Sequence, residues 1–168
     1  DLRLSRGLGD VYKRQQYLPD TSDSDIIDTI RTLDVDVAAG SNLPARATEG
    51  SAAYDVKSAH ALVIPPNSTG LVSLNLKVSV PSDHFMLLLS RSGLALKGIT
   101  VEGGVIDPDY HQEVKAIIRN STPTPFKIQK GQRIAQAVFL PLITAKFNLV
   151  EHLEDEDQGH DGFGSTGI

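Results

Sequence analysis

The sequence predicts an all-β protein, a jelly-roll-like sandwich or barrel of short antiparallel strands. Three observations carry that expectation. Over 72–80 apolar and polar residues alternate without a break, with Val72, Leu74, Leu76, Val78 and Val80 on one side and Ser73, Asn75, Lys77 and Ser79 on the other. That is the period of a half-buried strand. Further short apolar runs recur between clusters of Gly, Pro, Asn and Ser, spaced as strands and turns are in sandwiches and barrels. A sustained helical period, by contrast, shows only near the N-terminus.

With 168 residues, 40% of them hydrophobic, the chain suits one domain with a real core and is short for two. It has no Cys, which excludes a disulfide framework and a thiolate metal site. A net charge of -5 argues against a protein that grips nucleic acid through a broad basic face, while leaving room for a pocket that takes one small anion. No apolar run approaches the roughly 20 residues that span a bilayer, and no signal-peptide pattern opens the chain. No membrane partner is expected, and the chain reads as soluble and intracellular, in cytoplasm or nucleus.

Residues 1–15 mix basic residues and glycines without a period and read as an adaptor-like leader outside the fold. Residues 16–34 form an acidic leader, in which Ile26, Ile27, Ile30 and Leu33 share a helical face behind Asp23 or Ser24 as N-cap. A short peripheral helix or a structureless segment is expected there. The β domain is expected over 35–150. It opens with Val35 and Val37, passes a loop at Asn42-Leu43-Pro44, and runs from a turn at Thr48-Glu49-Gly50 into a short strand ending near Val56. Residues 62–64 make a strand stopped by Pro65-Pro66, and 67–70 a turn before the alternating strand. Residues 85–89 are apolar throughout, as in a strand buried on both faces. Arg91-Ser92-Gly93 ends that run, with Ser92 placed to cap a helical turn over 94–97.

Residues 101–114 read as a β-hairpin whose tip carries an acid and an aromatic, Asp107 and Tyr110. The paired Gly103-Gly104 suit a positive φ or a close approach of the backbone to something flat. Pro108 fixes its own φ and pushes Asp107 towards an extended conformation. Standing alone, the same residues read as a solvated acidic turn. The return strand covers 113–119, a loop follows at Ser121-Thr122-Pro123-Thr124-Pro125, and strands at 126–128 and 133–140 flank the turn Gln129-Lys130-Gly131-Gln132. After a last apolar stretch at 147–150, residues 151–168 form an acidic, glycine-rich arm too polar to order itself, with Phe163 as its one aromatic side chain.

Polar clusters recur at the turns, where binding residues concentrate. Asp55 beside Tyr54 is a turn-capping carboxylate or a ligand group. Arg91-Ser92-Gly93 is an ordinary helix start, or offers a guanidinium, a hydroxyl and backbone N–H groups to one anion. Gln136 is a solvent-facing strand amide or a binding group. Gly162-Phe163-Gly164-Ser165-Thr166-Gly167 is a flexible end, or wraps phosphates while Phe163 covers a base. His60, His84, His111, His152 and His160 have no zinc-ligand spacing, and neither a nucleophile elbow nor a P-loop is present.

In this order the clusters resemble the five motifs of the trimeric dUTPase family (dUTP nucleotidohydrolases), over about residues 35–168. Ala52-Ala53-Tyr54-Asp55-Val56 is similar to the first motif, Arg91-Ser92-Gly93-Leu94-Ala95 to the second, and Gly104-Val105-Ile106-Asp107-Pro108-Asp109-Tyr110 to the third. Gly131-Gln132-Arg133-Ile134-Ala135-Gln136 is similar to the fourth, and Gly162-Phe163-Gly164-Ser165-Thr166-Gly167 to the fifth. The flavour is that of viral and retroelement members. The resemblance implies a jelly-roll homotrimer with active sites shared between subunits. It also implies hydrolysis of dUTP to dUMP and pyrophosphate with Mg²⁺, which limits uracil entry into DNA. By motif, Asp107 would orient and deprotonate the attacking water and contact the sugar, and Tyr110 would stack on the deoxyribose. Arg91, Ser92, Gly93 and Gln136 would hold the phosphates, and the backbone at Gly103-Gly104 would read the uracil. Asp55 would reach Mg²⁺ only through water, the ion being held by the triphosphate with no direct protein ligand. Phe163 would close over the base from another subunit's arm, with Gly164, Ser165 and Thr166 beside the phosphates.

Departures from the family pattern keep a second reading open. Gln158 stands where the family has Arg, Asp161 where Gly is usual, His111-Gln112 where Arg-Gly is usual, Gln132 where Asp is common, and Ser90 where Pro is common. Losing one charge-stabilising donor commonly costs ~10²-fold or more in rate. The alternative is therefore a catalytically weak or inactive domain of the same fold that keeps nucleotide binding or a structural role. The related dCTP deaminases are a third reading, which the Asp107-Pro108-Asp109-Tyr110 stretch and the glycine-rich arm disfavour.

Overall fold

The computed structural model describes residues 32–152. The expected helix over 24–33 falls almost wholly outside them, as does the arm from 153 onward. Eleven strands and one short helix follow in order: β1 (Asp36–Val37), β2 (Tyr54–Lys57), β3 (Leu62–Ile64), β4 (Ser68–Leu76), β5 (Val78–Ser79), β6 (His84–Leu89), α1 (Ser92–Ala95), β7 (Ile99–Glu102), β8 (Val105–Ile106), β9 (Val114–Asn120), β10 (Phe126–Ile128) and β11 (Arg133–Pro141). One sheet has the order β2-β11-β6-β8, a second β4-β9-β7, and two pairs, β1-β5 and β10-β3, flank them. Every pairing is antiparallel, as an all-β jelly roll requires.

One apolar cluster joins the two larger sheets. Val56, Met86, Leu88, Ile134, Ala135 and Ala137 come from the first, and Val72, Leu74, Leu76, Ile99, Val114, Ala116 and Ile118 from the second, with Ile64, Ile128 and Val78 closing the ends. The alternation over 72–80 puts Val72, Leu74, Leu76, Val78 and Val80 inside, as its period demands. Among the described residues no helix is long and apolar enough to cross a membrane.

Local departures from the sequence reading have physical causes. The alternating strand starts at Ser68, inside the stretch read as a turn, and ends at Leu76. Its register shifts between Ser73 and Leu76, where Asn75 takes a φ of +46° and donates its side-chain amide to Gly40 O at 2.9 Å. This bulge binds the 38–42 loop to β4. Residues 85–89 are not buried on both faces. Met86 and Leu88 are buried, whereas Leu87 is half-buried and Leu89 is 39% exposed, because the other face of that sheet is open in a single chain. The helix runs from Ser92 to Ala95 with Arg91 as its N-cap, and no side chain caps it, so Ser92 is not the cap.

The 101–114 stretch is more than a hairpin. β7 pairs β9, with Glu102 opposite Ile117, but Val105–Ile106 crosses to the other sheet and pairs with β6. Gly103 and Gly104 make the crossing, at φ +64° and +101°. A Cβ at Gly104 would lie 2.5 Å from Leu88 O, so only glycine fits against that strand. At the far end of β9, fully buried Asn120 donates its side-chain amide to Ile64 O, Pro65 O and Thr124 O at 3.1, 3.0 and 2.8 Å. Its Oδ1 accepts from the Thr122 amide and hydroxyl, so one polar side chain locks the 121–125 loop.

Candidate functional site

Asp55 is the centre of the polar cluster that the fold assembles. It sits in β2 between the 45-loop, with which its backbone exchanges two hydrogen bonds with Ala45 at 2.8 and 3.2 Å, and Gln136 of β11. Tyr54 anchors the same strand, packing edge-on against Phe139 and lying beneath the Arg46 guanidinium. The Asp55 side chain is 12% exposed, and a carboxylate so far from water must be paired. Arg91 Nε donates to Oδ1 at 2.8 Å and Arg133 Nη1 to Oδ2 at 3.0 Å. Two guanidiniums against one carboxylate leave the cluster with a net positive charge, which suits an anion.

Two chain features bring those arginines together. Arg91 follows β6, held where Gln136 Nε2 donates to Ser90 O at 2.8 Å. Arg133 depends on a bulge. In β11 Arg133 faces Lys57 and Ala135 faces Val56, which leaves Ile134 as an extra residue. Ile134 and Ala135 are consecutive and both buried. The bulge sends Ile134 into the core and leaves Arg133 on the face shared by Lys57, Asp55 and Gln136. A cleft of about 480 Å³ opens there, lined by Arg46, Asp55, Lys57, Gln132 and Arg133 among others.

The remaining sequence candidates divide. Ser92 and Gly93 open α1, both exposed beside Arg91, and a Cβ at Gly93 would meet nothing within 4 Å. Gly104, Asp107 and Tyr110 lie on the crossing segment. The Tyr110 amide donates to Asp107 O at 3.1 Å and its hydroxyl to Glu113 O at 2.9 Å, which holds the turn in shape with the Asp107 side chain exposed. Ile106 faces Met86, and Arg91 stands five residues further along that strand and its exit, a span of roughly 16 Å at strand rise. Within one chain Asp107 and the Asp55 cluster therefore sit towards opposite ends of β6. Phe163, Gly164, Ser165 and Thr166 lie outside the described residues.

A larger cleft of about 690 Å³ lies away from Asp55, beside Asn42, His60, Ser73, Asn75, Lys77 and Glu113. Its carboxylate is already committed, Glu113 accepting from the Ser73 hydroxyl and, at 3.0 Å, from the Asn75 amide. The Ser73 bond chiefly holds that carboxyl below the usual range, helped by the Asn75 amide and by Lys115 and His60, and opposed by partial burial.

Among the described residues no three Asp, Glu or His side chains converge as a metal cage. Asp55 still fits an ion that arrives with its own water shell, since each oxygen accepts one N–H and keeps a second lone pair. Sequence reading placed Arg133 in the fourth motif and Ser90 among the departures, but gave neither a role in the site. The adjacent apolar pair Ile134-Ala135, a break in an alternating strand, was the signal for the first; for the second the signal was the Ser in place of a common Pro, which does not foretell its partners.

The dUTPase family model matches residues 40–167. The deoxyuridine 5'-triphosphate nucleotidohydrolase of Paramecium bursaria Chlorella virus 1 is 44% identical over 126 residues, 74% of this chain and 89% of that protein. The Monkeypox virus nucleotidohydrolase is 38% identical over 74% of this chain and 83% of its own length. Among solved structures, the Staphylococcus bacteriophage 80alpha dUTPase with dUpNHpp superposes with a TM-score of 0.72 at 29% identity, covering 82% of this chain and 99% of that one. A variant of the phage phi11 dUTPase of S. aureus, described with a structural Mg(II) ion, gives 0.65 at 25% identity over 72% and 99%. With the family model spanning the Asp55 cluster and the 101–114 crossing alike, the chain belongs to the dUTPase family.

Proposed function

We propose that the chain hydrolyses dUTP to dUMP and pyrophosphate by attack of an Asp107-activated water on the α-phosphate. The observation that carries the reading is the Asp55 carboxylate gripped by Arg91 and Arg133, a positive cluster at a cleft, in a chain of the dUTPase family. Arg91, Ser92 and Gln136 bind the phosphates, Ser92 and Gly93 being open beside the guanidinium. The Gly103-Gly104 crossing reads the uracil by its backbone, and Tyr110 packs on the sugar. Asp107 is a weak base in water, so the rate comes from placing it and from spreading charge over the phosphate donors. When bound with the triphosphate, Mg²⁺ would supply charge neutralisation, and Asp55 would hold it through water. The arm, through Phe163, closes over the base and excludes water. The substrate is an intracellular nucleotide, which is where this reading puts the chain.

The same reading makes the protein a homotrimer with sites shared between subunits. Two observations support it. Asp107 and the Asp55 cluster sit towards opposite ends of β6, and one chain leaves apolar surface uncovered, from the cross-strand pair Leu71 and Ile117 to Ile143 and Phe147, which are 87% and 94% exposed. A non-catalytic nucleotide-binding domain is the second reading, favoured by Gln158 and Asp161. Pyrophosphate release from dUTP, ammonia release from dCTP, or turnover of neither separates the readings. Asp107→Asn should abolish dUTP turnover and leave nucleotide binding largely intact; turnover within a few-fold of the parent would remove Asp107 from the role of base.

A further inference from the structure

We propose that Arg133 is a positioning residue for the triphosphate: through Asp55, and through its own carbonyl, it fixes the Arg91 guanidinium in the orientation that receives the phosphates. This rests on the dUTP reading above. Arg91 makes two contacts, Nε to Asp55 Oδ1 at 2.8 Å and Nη1 to Arg133 O at 3.3 Å. The first leans on Arg133 through the carboxylate and the second on Arg133 directly. Two of the five guanidinium N–H groups are thereby spoken for, and the others remain for an incoming anion.

The Asp55–Arg91 contact is one-pronged, so by itself it leaves the carboxylate free to turn about its Cβ–Cγ bond. The Arg133 bond to Oδ2 at 3.0 Å removes that freedom and sets the carboxylate plane. Arg133 can do this because the β11 bulge keeps it on the Asp55 face while Ile134 enters the core. Its own side chain is 50% exposed, so the ion pair adds little to folding. Its effect falls on the direction of Arg91 and on the charge of the cluster, which drops to neutral without it.

The test compares the parent with Arg133→Gln and Arg133→Lys, using calorimetry with dUpNHpp and with dUMP, thermal melting, and dUTP hydrolysis. Arg133→Gln should weaken dUpNHpp binding about tenfold or more while leaving dUMP binding within about twofold and the melting temperature near the parent's. Arg133→Lys, which keeps the charge and one donor, should recover most of the loss. Unchanged dUpNHpp affinity in Arg133→Gln, or equal weakening of dUpNHpp and dUMP, would overturn the assignment. A parent that binds dUpNHpp but releases no pyrophosphate would instead sink the hydrolysis reading, and the binding comparison would still decide the role of Arg133.

Discussion

The Val101 backbone amide donates to the Ser90 hydroxyl at 2.8 Å, tying the strand that leads into Gly103 to the residue before Arg91. The Ser90 carbonyl accepts the Gln136 amide, so the fourth motif and the strand that leads towards the third are both bonded to the residue just before the second. Proline, common in the family at this place, has no hydroxyl, and the Val101 bond depends on that departure. Ser90→Ala should cost about 1 kcal/mol, the usual net contribution of such a bond, and Ser90→Pro at least as much. Urea unfolding of both variants measures it, and midpoints equal to the parent's would mean that the bond contributes nothing.

Gly104 meets Leu88 O too closely to carry a Cβ, and its φ of +101° strains any other residue. At Gly103 the φ is +64° and the nearest atom to a Cβ, Ile117 Cδ1, is at an ordinary 3.7 Å. Gly103→Ala should therefore cost about 1–2 kcal/mol from backbone strain alone. Gly104→Ala should cost more, since the β6–β8 contact must open as well. Equal losses in denaturant unfolding would show that the Leu88 approach is easily relieved.

Glu113 ties β9 to the β4 bulge, and its carboxyl lies below the usual glutamate range because the Ser73 hydroxyl bonds the ionised form. The unfolded chain takes up that proton at higher pH than the folded one. The contribution is thus complete above about pH 5, and it is lost as pH falls through the lowered folded value. Glu113→Gln should be less stable at pH 7 and should show a shallower loss of stability between about pH 5 and pH 3. An unchanged slope in urea unfolding across that range would remove Glu113 from the acid response.

The all-β class was legible because the core rests on simple alternation, and the buried set Val72, Leu74, Leu76, Val78 and Val80 follows it residue by residue. What escaped was decided by contacts distant in sequence. Asn120 fell between the expected return strand and the loop after it and was given no part, yet it is fully buried and holds carbonyls 55 and 56 residues away. Leu89 looked buried because it is apolar, but burial needs a covering layer, which one chain does not supply to that face. At the site, Asp55 and Arg91 stood out as polar residues at strand ends and Gln136 as an amide on a strand. Their shared centre did not, because it depends on the β11 bulge and on pairings of β2 and β6 to the same strand.

The separation of Asp107 from the Asp55 cluster along β6 leads to the sharpest test of assembly. Should each site take Asp107 from one chain and Asp55 from a neighbour, a chain carrying Asp107→Asn and a chain carrying Asp55→Asn fail for opposite reasons. Each alone should be inactive, since every site in either homotrimer lacks one carboxylate. Unfolded together in equal amounts and refolded, they should recover activity, because a site joining the intact Asp107 of one chain to the intact Asp55 of the next is complete. With random mixing into closed trimers about a quarter of the sites satisfy that condition. Pyrophosphate release near a quarter of the parent's, together with light scattering at about three chain masses, is the expected result. A site built within one chain could never be repaired by mixing, so a refolded mixture as inactive as its components would show that both carboxylates act in the same subunit.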